Sequence, residues 1–510
     1  MILTFTLSVL CLVLDVEGGW GSQRNIIHPP QRNDCARKCV YGQPRTCYYY
    51  FHIEQYSTMG WSCNNCTVPS DCQCILADGV ERSVYTANRM IPGPKIEVCE
   101  GDKVVVDVEN TIDGSEVTIH WHGIWQRDTQ YYDGVPFVTQ CPILSGNTFR
   151  YTWFAKNAGT HFWHAHTGMQ KLDGLSGPVI IRQSASRDYH GSSYGNDLSE
   201  HVIIINDWFP YFATETLPGA LRRTNLLGQL PHSLLINGKG QTIHPDTSVM
   251  TQTPLQEFNV TSGQTYRFRL INAMATICPV ILTIDQHTLT AIASDGEPFE
   301  RIVVNGIQSY SGKLLFFFFG NGELMTHRVD SIEYTSPPSP LISQIKDISP
   351  SQLCNKNKKP KNCGEICSCT HVIELPLNAV VELILIDDSS PVGSPHTIHL
   401  HGYAFNVMGM GIVPNGTGSS VAKLTNLDRR DMLERRFYQP AFKDTLTVPS
   451  NGYAVVRFRA NNPGFWFFHC HFMYHMAIGM EMVLQVGNFS HIPPIPKGFP
   501  KCGSYIPNHW

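Results

Sequence analysis

The chain has 510 residues, 42% of them hydrophobic, and a net charge of −4. At roughly 100–200 residues per domain this length allows about three domains with well-filled cores. The near-neutral charge balance offers no basic surface for nucleic acid or an anionic membrane, so neither is expected as a partner.

The N-terminus reads MILTFTLSVLCLVLDVEGGW. Ile2 to Leu14 is apolar but too short to cross a bilayer. Small residues follow at Gly18 and Gly19, the pattern of a secretory signal peptide over residues 1–18. The positive n-region is missing apart from the α-amino group, so a signal anchor is the alternative. Once the signal is removed, no other run is long enough to span a membrane, and the stretch KGFPKCGSYIPNHW has no hydrophobic tail for a lipid anchor. There are 17 cysteines. The sixteen that remain without Cys11 imply disulfides in an oxidising compartment. Asn65, Asn259, Asn415 and Asn488 open N-x-S/T triplets, which agrees with secretion.

Residues 35–76 hold seven cysteines (Cys35, Cys39, Cys47, Cys63, Cys66, Cys72 and Cys74) around the aromatic run YYYF. This reads as a small disulfide-stapled cap without a large core of its own. Zinc binding through C-x-x-C and C-x-C is the other reading. From about Gly79 short alternating strands follow, such as KIEVCEGDKVVVDVEN and EVTIHWHG, punctuated by Gly, Pro and Asp-Gly turns. A second strand-rich block opens with HVIIINDW and includes QTYRFRLINA. A third includes THVIELPLNAVVELILIDD and YAVVRFRANNPGFWFFHC. Long amphipathic helical patterns are scarce. The expectation is an all-β chain built as three sandwiches. The stretch KLLFFFFGNGELMTHRVDSIEYTSPPSP (313–340) fits least well. There the second block stops before enough strands have accumulated to close a sandwich.

His-X-His occurs at His120/His122, His164/His166, His399/His401 and His469/His471. With 22 histidines in 510 positions, chance supplies roughly one such pair. In a strand, residues i and i+2 share a face, so each pair is a two-pronged imidazole clamp. A single pair is ordinarily a surface or satisfied pair. Four, each flanked by Gly or aromatic residues, can offer eight neutral imidazoles to one metal cluster. In FFHCHFMYHMAIGME, Cys470 faces away from His469 and His471 and needs partners of its own. His475 lies five residues on, Met480 ten residues on, and His396 opens PHTIHLHG. A cysteine, two histidines and a weak, distant methionine form the ligand set of a blue copper electron-transfer site. One short strand would then touch two metal sites. That suits chemistry in which single electrons are collected and O2 is reduced by four. Iron fits the imidazoles but not the thiolate set, and zinc is redox-silent.

The stretches IHWHGIWQRDTQYYDGVPFVTQCPI, GTHFWHAHTGMQKLDG, PHTIHLHGYAFNVMGMG and NPGFWFFHCHFMYHMAIGM resemble the multicopper oxidase family, insect laccases most closely. The likeness extends over the cysteine-rich segment and NRMIPGPKIEVCEGDKVVVDVEN, hence most of the chain. It implies cupredoxin-like Greek-key β-sandwich domains at 77–190, 199–312 and 313–490, preceded by the cysteine-rich 35–76 and followed by a tail, 491–510. It implies four copper ions: one type 1, one type 2 and two type 3, with the trinuclear cluster between the first and third domains. By family roles, His120 and His399 would bind the type 2 copper. His122, His164 and His471 would bind one type 3 copper, and His166, His401 and His469 the other. His396, Cys470 and His475 would bind the type 1 copper, with Met480 as weak axial ligand.

Asp133, in YYDGVPF, matches a family aspartate beside the cluster that could supply protons; a plain Asp-Gly turn is its other reading. The acid that relatives often carry three residues after the copper cysteine is Met473 here, which leaves a second proton route without its acid. Cys141 and Cys502 resemble a family disulfide. His161 is off the strand phase of His164 and reads as structural, and Trp121, Phe162 and Trp163 read as packing around ligands. After SYSG (309–312) the chain runs straight into third-domain-like sequence, which reads as an internal deletion near residues 312–313.

The implied function is a secreted laccase-type oxidase, taking electrons from small aromatic donors such as diphenols and passing them to O2. The alternatives are a ferroxidase or ascorbate oxidase, and a non-catalytic copper-binding protein or inactive truncated isoform. Acids beside His396 and His475, with Asp431, Glu434 and Glu481 as candidates, would favour cationic donors. The sequence sets no oligomeric state.

Overall fold

Strand alternation decides what each sheet buries. The computed structural model describes residues 35–64, 73–215, 230–310, 328–361, 363, 367–387, 395–417 and 419–503. The signal-peptide reading, Cys66, Cys72 and the junction near 312–313 lie outside the described residues. In the first block the strands are β1 (Thr46–Thr58), β2 (Arg82–Ala87), β3 (Ile96–Cys99), β4 (Lys103–Asn110), β5 (Ile119–His122), β6 (Asn147–Phe154), β7 (Gly159–Ala165) and β8 (Ser176–Arg182). They form two four-stranded sheets, ordered β2-β1-β4-β6 and β3-β8-β7-β5. Alternate residues of both sheets, among them Phe51, Val106, Trp153, Trp121, Trp163 and Val179, meet in one buried cluster. Because successive side chains point to opposite faces, Trp121 and Trp163 fill this core while the neighbouring histidines turn outward from it.

The cysteine-rich segment is not a separate cap. β1 lies inside the first sheet, parallel to β4 with Thr46 opposite Lys103, and antiparallel to β2. Cys47, Phe51 and Ile53 of β1 are buried in the sandwich. Bonds Cys35–Cys47 and Cys39–Cys99 hold the strand's entry. The segment lacks the apolar content for its own core and takes a place in the neighbouring one. Cys63 pairs with Cys74, so neither is available to zinc.

The second block contributes β9 (Val202–Trp208), β10 (Ser233–Ile236), β11 (Arg269–Asn272), β12 (Pro279–Leu282), β13 (Leu289–Ser294), β14 (Glu297–Val304) and β15 (Ile307–Tyr310). Among the described residues they form only a three-stranded sheet, β10-β9-β11, and the pairs β12-β15 and β13-β14. β9 is buried throughout. Ile281, Ile302 and Val303 are each more than half exposed, and because Ile302 and Val303 are consecutive in β14, both faces of that strand are open there.

The third block holds β16 (Ile332–Tyr334), β17 (Leu353–Cys354), β18 (Cys367–Leu375), β19 (Val380–Ile386), β20 (His396–Leu400), β21 (Phe405–Ile412), β22 (Ala441–Lys443), β23 (Thr445–Val448), β24 (Gly452–Arg459), β25 (Gly464–Cys470) and β26 (Glu481–Val486). One sheet runs β16-β18-β26-β25-β20-β23, and β19-β24-β21-β22 covers it. Their shared core includes Ile398, Leu400, Val456, Trp466, Phe468 and Cys470. The longest helix among the described residues, Ser420–Arg429, has ten residues. Further disulfides join Cys354 to Cys369, Cys363 to Cys367, and Cys141 to Cys502 across 361 residues. Among the described residues the free cysteines are the buried Cys470 and the half-buried Cys278.

Candidate metal centre

Four short strands bring the four His-X-His pairs together. β5 carries His120 and His122, and β7 carries His164 and leads into His166. In register, His120 stands opposite His164. β20 carries His399 and leads into His401, and β25 carries His469 and leads into His471, with His399 opposite His469. The first pair of strands belongs to the first sandwich and the second pair to the third. All eight imidazoles are buried. His120 stacks on His401 at 3.9 Å between ring centroids, and His122 on His399 at 3.8 Å, so the two halves interdigitate.

Outward-facing nitrogens fix the ring tautomers. His120 Nδ1 donates to the Asp133 carbonyl at 2.7 Å, His164 Nδ1 to Ala165 O at 2.9 Å, and His399 Nδ1 to Asp444 O at 3.0 Å. His469 Nδ1 donates to Cys470 O at 3.0 Å and His401 Nδ1 to Asp133 Oδ2 at 2.8 Å. A carbonyl or carboxylate can only accept, so Nε2 of these rings carries the lone pair. The Nε2 atoms of His120, His164, His166, His399 and His471, and Nδ1 of His122, are buried without a hydrogen-bond partner. His401 Nε2 and His469 Nε2 face each other at 3.1 Å, two lone pairs with no proton to share. Buried acceptors gathered in this way are costly unless a cation sits among them. Ring nitrogens of His122, His164 and His471 lie within 4.8 Å of one another; the same holds for His166, His401 and His469, and for His120, His122 and His399. The donor chemistry therefore fits the copper cluster expected from the sequence.

The strand phase of β25 separates a second cluster. Trp466, Phe468 and Cys470 point into the third core, whereas Phe465, Phe467 and His469 point away from it. Cys470 Sγ lies 3.5 Å from His475 Nδ1 and 3.8 Å from His396 Nδ1, and those two nitrogens are 3.1 Å apart. Met480 packs against the same core. Its carbonyl accepts the Cys470 N–H at 3.0 Å and its own N–H donates to His475 O at 3.1 Å, so one tight loop gathers Cys470, His475 and Met480. A buried thiol with two imidazole nitrogens fits a type 1 copper, and the same loop carries Met480.

Burial governs the titration of these groups. Desolvation holds His122, His164, His166, His399, His401 and His471 well below the ordinary histidine value, and neighbouring imidazoles add to the effect. His469 is pushed down to about 3 and His396 to about 4, both chiefly by desolvation. Burial pushes the Cys470 thiol up to about 12. Neutral imidazoles are what a metal requires, and a metal must displace the thiol proton.

Of the remaining sequence candidates, Asp133 is fully buried between His120 and His401. His161 is buried and contacts Asn157 O, outside the imidazole cluster. Glu481 stands opposite His469 on β26, with its carboxyl held well above the usual range by burial. Asp431 and Glu434 are exposed in the loop after Ser420–Arg429. Four residues beside the histidines were not foreseen. Thr445 Oγ1 lies 2.9 Å from His399 Nδ1 and 3.2 Å from His122 Nε2. Asp444 Oδ1 lies 3.4 Å from His122 Nε2. Lys171 Nζ is 3.3 Å from His471 Nδ1, and burial pushes it down to about 7. Asp387 Oδ1 is 4.0 Å from His396 Nε2. Local sequence does not pair any of them with its histidine, because each contact is made only through the tertiary fold.

Comparison with known proteins agrees with this geometry. Profiles described as multicopper oxidase match residues 70–186, 199–318 and 334–490. Laccase-1 of Fomitopsis schrenkii is 29% identical, covering 84% of this chain and 88% of its own length. The laccase of Trametes hirsuta is 28% identical, covering 83% and 90%. In fold, the chain is similar to the laccase from Botrytis aclada, with a TM-score of 0.66 at 24% identity over 89% of this chain and 90% of that one. It is likewise similar to Fet3p, a multicopper oxidase that functions in iron import, with a TM-score of 0.63 at 21% identity over 89% and 93%.

Proposed function

The chain belongs to the multicopper oxidase family, and from that premise we propose that it is a secreted laccase-type oxidase of diphenols and related small aromatic donors. Its cofactor is copper, four ions of types 1, 2 and 3. When bound, these ions supply a one-electron acceptor joined to a store that delivers four electrons to O2. The observation that carries the reading is the pair of donor clusters joined by one strand: Cys470 lies between His469 and His471 in the chain. His396, Cys470 and His475 would hold the type 1 ion with Met480 beside it. His120 and His399 would hold the type 2 ion. His122, His164, His471 and His166, His401, His469 would hold the type 3 pair.

Around these ligands the protein's own groups set geometry and protons. Asp133 fixes two imidazoles, through its carbonyl and its carboxylate, and would supply protons for water formation. The buried aromatic side chains Phe162 and Phe467 pack on the imidazoles and keep bulk water out. The diphenol class rests on the resemblance of the four motifs to insect laccases. Export rests on the leader-like N-terminus and on the six disulfides among the described residues. Asn259, Asn415 and Asn488 are exposed, as glycosylation would need.

A second reading, oxidation of a metal cation such as Fe²⁺, is favoured by Asp387, a buried carboxylate beside His396. Oxygen uptake by the copper-loaded chain, compared across a catechol, ascorbate and Fe²⁺, tests both. Uptake driven mainly by the catechol supports the proposal, and uptake driven mainly by Fe²⁺ supports the second reading. A blue protein that consumes no oxygen with any donor would reduce the function to copper binding.

A further inference from the structure

The second block supplies no imidazole to the proposed cluster, yet one of its turns reaches the residues that back it. β13 and β14 form a hairpin closed by Asp295 and Gly296, whose φ values are +50° and +81°. An Asp-Gly pair is what a tight hairpin turn of this kind requires. Much of the hairpin is exposed, including Thr290, Ile302 and Val303. The turn itself is wedged between the other two sandwiches.

On its third-domain side, Asp295 Oδ2 accepts from Lys443 Nζ at 2.9 Å and from the backbone N–H groups of Asp444 and Thr445 at 3.3 and 3.4 Å. Lys443 Nζ also donates to Ser294 Oγ at 2.6 Å. The Thr445 hydroxyl so held donates to Asp444 Oδ1 at 2.8 Å and bridges His399 and His122, one imidazole from each half of the cluster. On the first-domain side no side chain fits. A Cβ on Gly296 would lie 2.5 Å from His161 Cε1, and a Cβ on Gly159 would lie 2.3 Å from Gly296 Cα. His161 in turn presses on Gly123, the residue after His122, where a Cβ would lie 2.3 Å from its Nδ1. Both the hydroxyl beside His122 and the backbone after it are thus braced by the same two-residue turn.

We propose that the Asp295–Gly296 turn is a positioning wedge that sets how closely His122 and His399 approach, with Asp295 acting through Thr445 as a positioning residue for the type 2 side of the cluster. The inference rests on the copper reading above. It gives the second block a role in the site although none of its residues is a ligand. Groups that orient metal ligands from behind commonly change metal affinity by about 10–100-fold, and a residue one contact further out belongs at the low end.

The test compares the copper-loaded full chain with its Asp295→Ala, Asp295→Asn and Thr290→Ala variants. Copper loss to a chelator is timed, and the type 2 electron paramagnetic resonance signal and the blue absorption band are recorded. Asp295→Ala should lose type 2 copper about tenfold faster and show an altered type 2 hyperfine splitting, with the blue band unchanged. Asp295→Asn keeps one acceptor oxygen and should fall between Ala and wild type. Thr290→Ala perturbs the same hairpin away from the interface and should match wild type. Wild-type signals and rates in both Asp295 variants would overturn the wedge. So would an equal loss in Thr290→Ala, which would trace the effect to hairpin stability. A wild-type chain with neither a blue band nor a type 2 signal would overturn the copper reading itself, an outcome distinct from the other two.

Discussion

Removing copper leaves a folded chain that holds nine or more buried imidazoles in their neutral form, and acid should then unfold it. Burial pushes His161 and His396 down to about 4 and His469 down to about 3, from an ordinary 6.5, desolvation being the main cause in each. Below pH 6.5 the unfolded chain binds a proton on each of these rings, while the folded chain does not until pH 4 or 3. Their contribution to stability is therefore complete above about pH 6.5 and is lost as the pH falls through that window. At 1.36 kcal/mol per pKa unit, each ring carries about 3–5 kcal/mol. Three such rings are comparable with the whole stability of a typical domain, about 5–15 kcal/mol. The six other cluster histidines shift in the same direction. Copper-stripped protein should accordingly unfold before pH 4. Copper-loaded protein should resist further into acid, because protons must first displace the metal. The measurement is the urea midpoint by tryptophan fluorescence at pH 7.5 and pH 5.0, with and without copper. A stripped protein whose midpoint is the same at both values would refute the reasoning.

Two further outcomes follow from particular contacts. Replacing both Cys141 and Cys502 by Ser should cost about 2–5 kcal/mol, because this bond closes the longest loop among the described disulfides; calorimetry on the reduced-risk double variant, which leaves no lone thiol, reads it directly. Met480→Leu should keep the blue absorption, since the thiol and two imidazoles remain, while raising the type 1 reduction potential through loss of a thioether that would weakly bind the ion; redox titration of the band measures the change.

The parts of this molecule governed by a two-residue period were legible in its sequence. The phase that sets Cys470 against His469 and His471 is visible in three consecutive letters, and the structure puts Cys470 in the third core and in a different donor group from His469 and His471. The all-β character and the Cys141–Cys502 pairing were equally accessible, the latter through family resemblance. What the sequence hid depends on distant pairing. β1 was read as part of a cap because nothing in TCYYYFHIEQYST announces a parallel partner beginning at Lys103. Lys171 and His471 are 300 residues apart, and Thr445 reaches His122 across 323. Asp387 is one acid among 42 acidic residues, and only its place in the fold puts it beside His396.

The division of the eight imidazoles between two sandwiches has a consequence for biosynthesis. His166 and His399 are separated by about 230 residues of chain. At about 5–20 residues per second, the first four rings emerge some 10–50 seconds before any of the others. During that interval the nascent protein displays half of a coordination sphere, able to seize a stray ion with the wrong number of ligands. Faithful loading must therefore come after translation, once the third sandwich has docked. The interval makes the timing of metal delivery, as much as its amount, a determinant of how many molecules mature.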